Sequence, residues 1–262
     1  MAWPPPFTSF TPNLPLAMAL PRFYVPGPWS SSGPLDLPDE AGHHALRVLR
    51  LTPGTTIEVF DGAGAALAGV LVVSGKRAAL EPRGEVRRTP VRKPRLTLVQ
   101  GIASGDKMDW IVEKATELGV DVVVPLAARR SVLRLQGDRR EKRWQHWQRV
   151  AQAACAQCGR DVLPEILPPL TVSDWLARPA APGLALTCHP EAESSLLPLL
   201  RRESPEALTL WVGPEGGWDD EELALAQRHG IVPVRLRGHV LRTETAGLAL
   251  AAACSAVLGW SD

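Results

Sequence analysis

Cysteine is scarce in this chain, with four in 262 residues: Cys155, Cys158, Cys188 and Cys254. So few thiols exclude a disulfide framework at this length and fit a reducing compartment, the cytoplasm. There is no apolar run of membrane-spanning length and no basic-then-apolar leader at the start, so neither a membrane span nor a secretion signal is expected. No Gly-Lys-Ser/Thr follows a glycine-rich turn, which excludes a phosphate-binding P-loop. Cys155-Ala156-Gln157-Cys158 has no second pair at zinc-finger spacing, and at the apolar end of a helix it reads as packing; no metal site is expected. What is there is ordinary globular composition, 45% apolar and 22% charged, in a chain long enough for two modest domains.

Net charge is only +1, but its distribution is uneven. Residues 1–150 hold 21 Lys and Arg against 14 Asp and Glu, whereas residues 151–262 hold 8 against 14. A basic first half fits a phosphate backbone, and equally an arginine-rich solvated surface.

Residues 1–19 carry Pro4, Pro5, Pro6, Pro12 and Pro15 without periodicity and are expected to be a disordered extension. Met18 is expected to be the true start, and a native product whose mass begins at Met1 would refute that. Residues 20–90 read as a small β-rich domain. Within it, His43 to Leu51 is expected as a helix presenting Arg47 and Arg50 on one face, Thr56 to Phe60 alternates as a strand, and Asp61-Gly62 marks a turn. The basic stretch from Arg83 to Arg95, broken by Pro90 and Pro94, reads as a linker. Residues 91–262 alternate strands and helices: strands at Arg95–Gly101, Val120–Leu126, Leu184–Cys188, Leu208–Val212 and Val232–Leu236, and helices at Asp106–Leu118, Arg139–Gly159, Asp219–His229 and Thr245–Trp260. This alternation predicts a parallel α/β sheet whose ligands sit beyond the carboxyl ends of its strands.

Three unusual loops fall at such ends. Gly213-Pro214-Glu215-Gly216-Gly217 lets backbone approach a ligand closely, or is simply a turn. Gly238 to Gly247 combines Arg242, Glu244, Thr243 and Thr245 ahead of an apolar helix. Capping by Thr243 or Thr245 explains the hydroxyls but not a cation at the positive helix end. Thr187-Cys188-His189-Pro190 is structural or part of the same pocket. The small residues of the last helix suit a homodimer interface or close packing within one chain.

Together with Pro21-Arg22-Phe23-Tyr24, His44, Arg47-Val48-Leu49-Arg50, Asp61-Gly62, Gly105-Asp106-Lys107-Met108, Lys114-Ala115-Thr116-Glu117-Leu118-Gly119-Val120, Gln157-Cys158-Gly159-Arg160 and Leu241-Arg242-Thr243-Glu244-Thr245-Ala246, these loops resemble the RsmE family. That family, of the SPOUT superfamily, comprises 16S ribosomal RNA uridine-N3 methyltransferases. The resemblance implies an α/β methyltransferase domain with a trefoil knot, a small β-barrel PUA-like domain before it, and a homodimer that meets 16S RNA in the small ribosomal subunit. It implies S-adenosyl-L-methionine held by Thr187, Cys188 and His189, by Gly213, Pro214, Glu215, Gly216 and Gly217, and by Leu236, Gly238, Val240, Leu241, Arg242, Thr243, Thr245 and Ala246.

A sulfonium methyl is already electrophilic, so such a reaction needs positioning, a base for the N3 proton, and a cation for charge spreading onto the ring. Arg242 is the expected cation, and Glu244 and Glu215 are the candidate bases. Arg22, His44, Arg47, Arg50, Arg129, Arg130 and Arg134 are the expected RNA contacts. Ala156 stands where relatives often have Glu, and Thr187-Cys188-His189-Pro190 varies on a Leu-His-Pro theme. The competing readings are a related enzyme acting on another RNA, such as tRNA ribose 2′-O, a non-catalytic RNA-binding assembly factor and, most distantly, a cysteine hydrolase.

Overall fold

The structure, a computed structural model, describes residues 20–29, 33–75, 77–90, 95–179, 183–203, 205–236 and 239–259. The proline-rich residues 1–19, with Met18, and Gly238 lie outside the described residues.

The first sheet is built from β1 (Arg22–Tyr24), β2 (Leu35–Asp36), β3 (Thr56–Phe60), β4 (Ala65–Ser74), β5 (Arg77–Pro82) and β6 (Arg87–Arg88). Its order is β1-β3-β4-β5-β2, with β6 beside β4. The alternation in β3 points Ile57 and Val59 into a core shared with Phe23, Leu67, Leu71 and Leu80. At the β3–β4 turn, Asp61 Oδ1 accepts from the backbone N–H of Ala63 and Ala65, so its side chain shapes the turn.

The helix expected at His43–Leu51 is displaced. It starts earlier, as α1 (Asp39–His43), and passes into a π-helical turn over His44–Val48. Arg50 lies beyond that turn with φ of 53°, so Arg47 and Arg50 do not share the helical face their spacing suggested.

The second sheet follows β7 (Arg95–Gly101), α2 (Lys107–Glu117), β8 (Val122–Ala127), α3 (Gly137–Cys158), β9 (Glu165–Ile166), β10 (Leu170–Thr171), α4 (Val172–Leu176), β11 (Leu184–Cys188), α5 (Leu196–Glu203), β12 (Ala207–Val212), α6 (Asp220–Arg228), β13 (Val232–Val234) and α7 (Thr243–Leu258). The strand order is β10-β8-β7-β12-β11-β13, with β9 beside β8, and every pairing is parallel. A parallel sheet must be covered on both faces. On one face Leu98, Leu186 and Leu210 pack with Ile111 and Val112 of α2, Trp147 of α3, and Leu250 and Ala251 of α7. On the other, Val99, Val124 and Trp211 pack with Ala226 and Ile231. Among the described residues no helix is long and apolar enough to cross a membrane.

Asp161, just past α3, joins the two sheets' units. Its side chain is 2% exposed and accepts from Arg22, Arg87 and Thr89 of the N-terminal part. Arg22 is itself 7% exposed, pairs with Glu58 at 3.0 Å, and lies 4.9 Å from the Phe60 ring centroid. The expectation that Arg22 contacts RNA is therefore corrected: buried and doubly paired, it has little left to offer a phosphate.

Candidate active site

β7 and β12 are neighbours at the middle of the parallel sheet, and the chain leaves them toward opposite edges. The crevice beyond their carboxyl ends is where such sheets bind ligands. Gly101 closes β7 there. A Cβ on it would stand 2.5 Å from both Pro214 N and Pro214 Cδ, so the glycine loop rests directly on its backbone. The loop turns back on itself through a bond from Gly217 N–H to the Pro214 carbonyl at 2.8 Å, with Gly217 at φ of 70°.

The loop before α7 returns to the same place. Thr243 is buried, and its hydroxyl donates to the Gly213 carbonyl and accepts from Gln100 Nε2 at 2.9 Å. Three elements distant in sequence are thus tied by one hydroxyl. The capping expectation is corrected: Arg242 holds the N-cap position with no side-chain cap bond, and Thr245 is exposed. Thr243 is occupied in joining the loops, and the first-turn amides of Thr245 and Ala246 bond the Arg242 carbonyl instead.

Between these loops opens a pocket of about 670 Å³. Of the residues singled out from the sequence, Arg130, Cys188, His189, Gly213, Pro214, Glu215, Gly217, Leu236, Val240, Leu241, Arg242, Thr243, Glu244 and Ala246 line it. Thr187 lies beneath the wall, buried, with its hydroxyl toward the Trp211 carbonyl at 3.5 Å. Gly216 faces Arg130 instead. Glu244 Oε2 and Trp218 Nε1 are buried there without a hydrogen-bond partner, which is costly unless a ligand completes them.

Lys107, Trp218, Asp220 and Leu223 also line the pocket and were not singled out as site residues. Lys107 stood in a noted motif, but only the fold shows that it reaches Glu215, at 2.8 Å. The other three follow the glycine loop and carried no separate signal.

Glu215 is held by its neighbours. Partial burial pushes the Glu215 carboxyl up, but hydrogen bonds from Lys107, the Ser104 hydroxyl and the Ser104 N–H outweigh it and hold it down at about 2. So acidic a group is a poor proton acceptor near neutrality. Its bonds stabilise the fold above the ordinary carboxyl value of 4.5, and that contribution is lost as pH falls through about 2. Glu215→Gln is therefore expected to be less stable than the wild type above pH 5, with the gap closing toward pH 2, as read by urea unfolding at stepped pH.

The buried and half-buried thiols are not activated. Burial pushes Cys155 and Cys254 up to about 12, and Cys188 upward as well, which leaves a cysteine nucleophile without support. Among the described residues no three His, Cys, Asp or Glu side chains gather as a metal cluster.

The expected RNA contacts fare unevenly. His44, Arg47 and Arg50 are exposed on the N-terminal unit. Arg129 is engaged by Asp219 at 3.0 Å and by Glu221, and Arg130 approaches Asp220 at 3.7 Å. Arg134 donates to the Arg129 carbonyl at 2.7 Å.

A family model described as the RNA methyltransferase domain matches residues 91–255, and one described as the RNA methyltransferase PUA domain matches residues 37–82. The protein is thus an RNA methyltransferase in domain make-up. The ribosomal RNA small subunit methyltransferase E of Synechocystis is 33% identical over 82% of this chain and 71% of its own length. That of Mycobacterium tuberculosis is 34% identical over 79% and 80%. The chain belongs to the ribosomal RNA small subunit methyltransferase E family. Among solved structures, the Neisseria gonorrhoeae member bound to S-adenosyl methionine superposes with a TM-score of 0.82 at 36% identity, covering 91% of this chain and 98% of that one. A Legionella pneumophila methyltransferase in complex with the same cofactor gives 0.84 at 30% identity, covering 90% and 97%.

Proposed function

We propose that this protein transfers a methyl group from S-adenosyl-L-methionine to N3 of a uridine in 16S ribosomal RNA. The observation that carries the reading is the pocket in which the glycine loop, the strand end at Cys188-His189 and the loop before α7 converge. Its volume suits a cofactor-sized ligand, typically ~300–1,000 Å³. Its apolar wall of Val212, Leu223, Leu236 and Leu241 and its unpartnered Glu244 and Trp218 atoms fit a ligand with both apolar and donor–acceptor parts. The cofactor-bound Neisseria relative supports the same ligand here.

When bound, S-adenosylmethionine supplies an electrophilic methyl on a sulfonium. The chain's own residues do the rest. Gly213, Pro214, Gly217, Leu236, Leu241 and Ala246 hold and orient, with Thr187 and Thr243 fixing the loops from below. Arg242, exposed at the pocket, stabilises negative charge on the uracil oxygens as N3 loses its proton. Glu215 is spent on Lys107 and Ser104, which leaves Glu244 as the base. The target uridine must be unpaired or extruded to present N3. His44, Arg47 and Arg50 contact RNA phosphates.

The reading extends to fold and assembly. Residues 20–90 form the PUA-like domain as a small barrel, and residues 91–262 the methyltransferase domain. The segment after β13 threads back to form the trefoil knot. Support comes from Thr243, which bonds Gly213 and Gln100 at the sheet's middle although β13 lies at its edge. A homodimer in the cytoplasm is proposed through the outward side of α7, where Ala252 and Ala256 stay exposed while Gly247, Leu250 and Ala251 pack inward.

Gly101→Ala is expected to lift the glycine loop off β7 and weaken S-adenosylmethionine binding about tenfold, given overpacking costs of ~1–3 kcal/mol; calorimetric titration reads it. The function itself is tested by mass mapping of ribosomal RNA with and without the gene. One N3-methyluridine missing from 16S RNA is the expected result. An unchanged modification map, or a lost ribose methyl, would overturn it.

A further inference from the structure

We infer that α3 carries a second RNA-contacting surface, a phosphate-tracking stripe that runs from the cofactor pocket toward the N-terminal unit. This rests on the proposed RNA substrate and adds where that RNA lies.

Arg139, Lys142, Arg143, His146 and Arg149 recur at helical spacing along α3, so they share one face. The adjoining inward side buries Trp147, Ala151, Ala154 and Cys155, and the two sides meet at Asp109 of α2, which bonds both His146 and Trp147. Arg139, Lys142 and Arg149 are exposed, and among the described residues none has a carboxylate within ion-pair distance. The carboxylates nearby are accounted for. Asp109 of α2 takes His146 at 2.7 Å and Arg143 at 3.9 Å. Glu141 accepts from Gln145. Asp138, in the first turn, borders the stripe one helical turn before Lys142, and among the described residues it pairs with none of the stripe's cations. By contrast Arg129 and Arg130, expected from the sequence to meet RNA, are engaged by Asp219, Asp220 and Glu221. Unpaired cations on a firm helix are the better partners for a polyanion, because no protein ion pair must break first.

The placement gives the stripe its direction. β8 ends on the pocket side, where Arg130 lines the cavity, and α3 starts at Gly137, ten residues after the strand's end at Ala127. A helix between parallel strands runs back to their other ends. The far end of α3 meets the N-terminal unit, where Cys155 packs with Phe60 and Ala66, and Gly159 lies against Arg22. At ~1.5 Å per residue the helix spans roughly 33 Å, with the stripe on the half nearer the pocket. A strand of RNA held on the N-terminal unit and presenting its uridine to the pocket would lie along it.

The test is binding of 16S ribosomal RNA across a salt series by Arg139→Gln/Lys142→Gln/Arg149→Gln. Three lost phosphate contacts should flatten the slope of log K against log salt by about 2 and weaken binding on the order of 100-fold at 0.1 M salt, at about 0.7 per contact. Affinity for S-adenosylmethionine should not change. The matched control, Arg201→Gln/Arg202→Gln/Arg228→Gln, removes the same charge elsewhere and should keep the wild-type slope. Arg139→Lys with Arg149→Lys should bind as the wild type. Should the triple variant not fold, the single substitutions carry the test, each flattening the slope by about 0.7. A stripe variant with wild-type slope and affinity, or a control that loses as much, would overturn the stripe and leave the methyltransferase reading standing. A wild type that binds no RNA would overturn both.

Discussion

Arg242→Ala is expected to cut methyl transfer 100-fold or more while the dissociation constant for S-adenosylmethionine stays within about threefold. The side chain is exposed at the pocket and serves no cap. The structural work at this position is done by the backbone, whose carbonyl accepts from the N–H groups of Thr245 and Ala246, and alanine keeps that carbonyl. What alanine removes is a cation lining the pocket, where the proposed reaction places the uracil ring. A donor aimed at charge that develops only in the transition state is worth about 10²–10³ in rate, and it contributes little to ground-state binding. Single-turnover kinetics on 16S RNA, with calorimetry for the cofactor, separate the two effects. Parallel losses in rate and cofactor affinity would make Arg242 a binding residue instead.

The largest stability effect is expected at Asp161. Asp161→Ala removes the acceptor shared by Arg22, Arg87 and Thr89, and leaves Arg22, 7% exposed, with Glu58 as its remaining partner. Breaking a buried charge cluster from one side costs ~3–5 kcal/mol, because the stranded cation cannot regain its hydration. For a chain of this size that lowers the melting temperature by roughly 6–15 °C. Asp161 joins the N-terminal unit to the parallel sheet, so the two units of the variant should unfold in more widely separated steps than those of the wild type. Differential scanning calorimetry reads both. Asp161→Asn, which keeps an acceptor oxygen, should fall between.

Much of the second sheet was legible because its signals are local. Arg95–Gly101 and Leu184–Cys188 are strands with the bounds their apolar runs suggested. The end of α3 is set by Gly159 in the left-handed conformation, φ 86°. The short strands β2, β6, β9 and β10 were not legible, since two residues carry no period and exist as strands only through their partners. The helix near His44 was misplaced because its apolar spacing gives no sign of a π-helical turn.

The site divides similarly. The glycine loop and the Leu241–Ala246 segment announced themselves through residue types that ordinary turns do not need. The role of Thr243 did not, because capping is the local explanation and its actual partners, Gln100 and Gly213, are 143 and 30 residues away. Arg22 misled for the same reason. An arginine in a basic N-terminal part suits nucleic acid until its partner Asp161, 139 residues on, is in view.

The most direct measurement is a crystal structure of the protein soaked with S-adenosylmethionine. Electron density for the ligand should fill the space bounded by Gly213–Gly217, Leu236 and Leu241–Ala246, with its methyl turned toward Arg242. Ligand bound outside those loops, or a crevice closed by side chains at saturating ligand, would contradict the account.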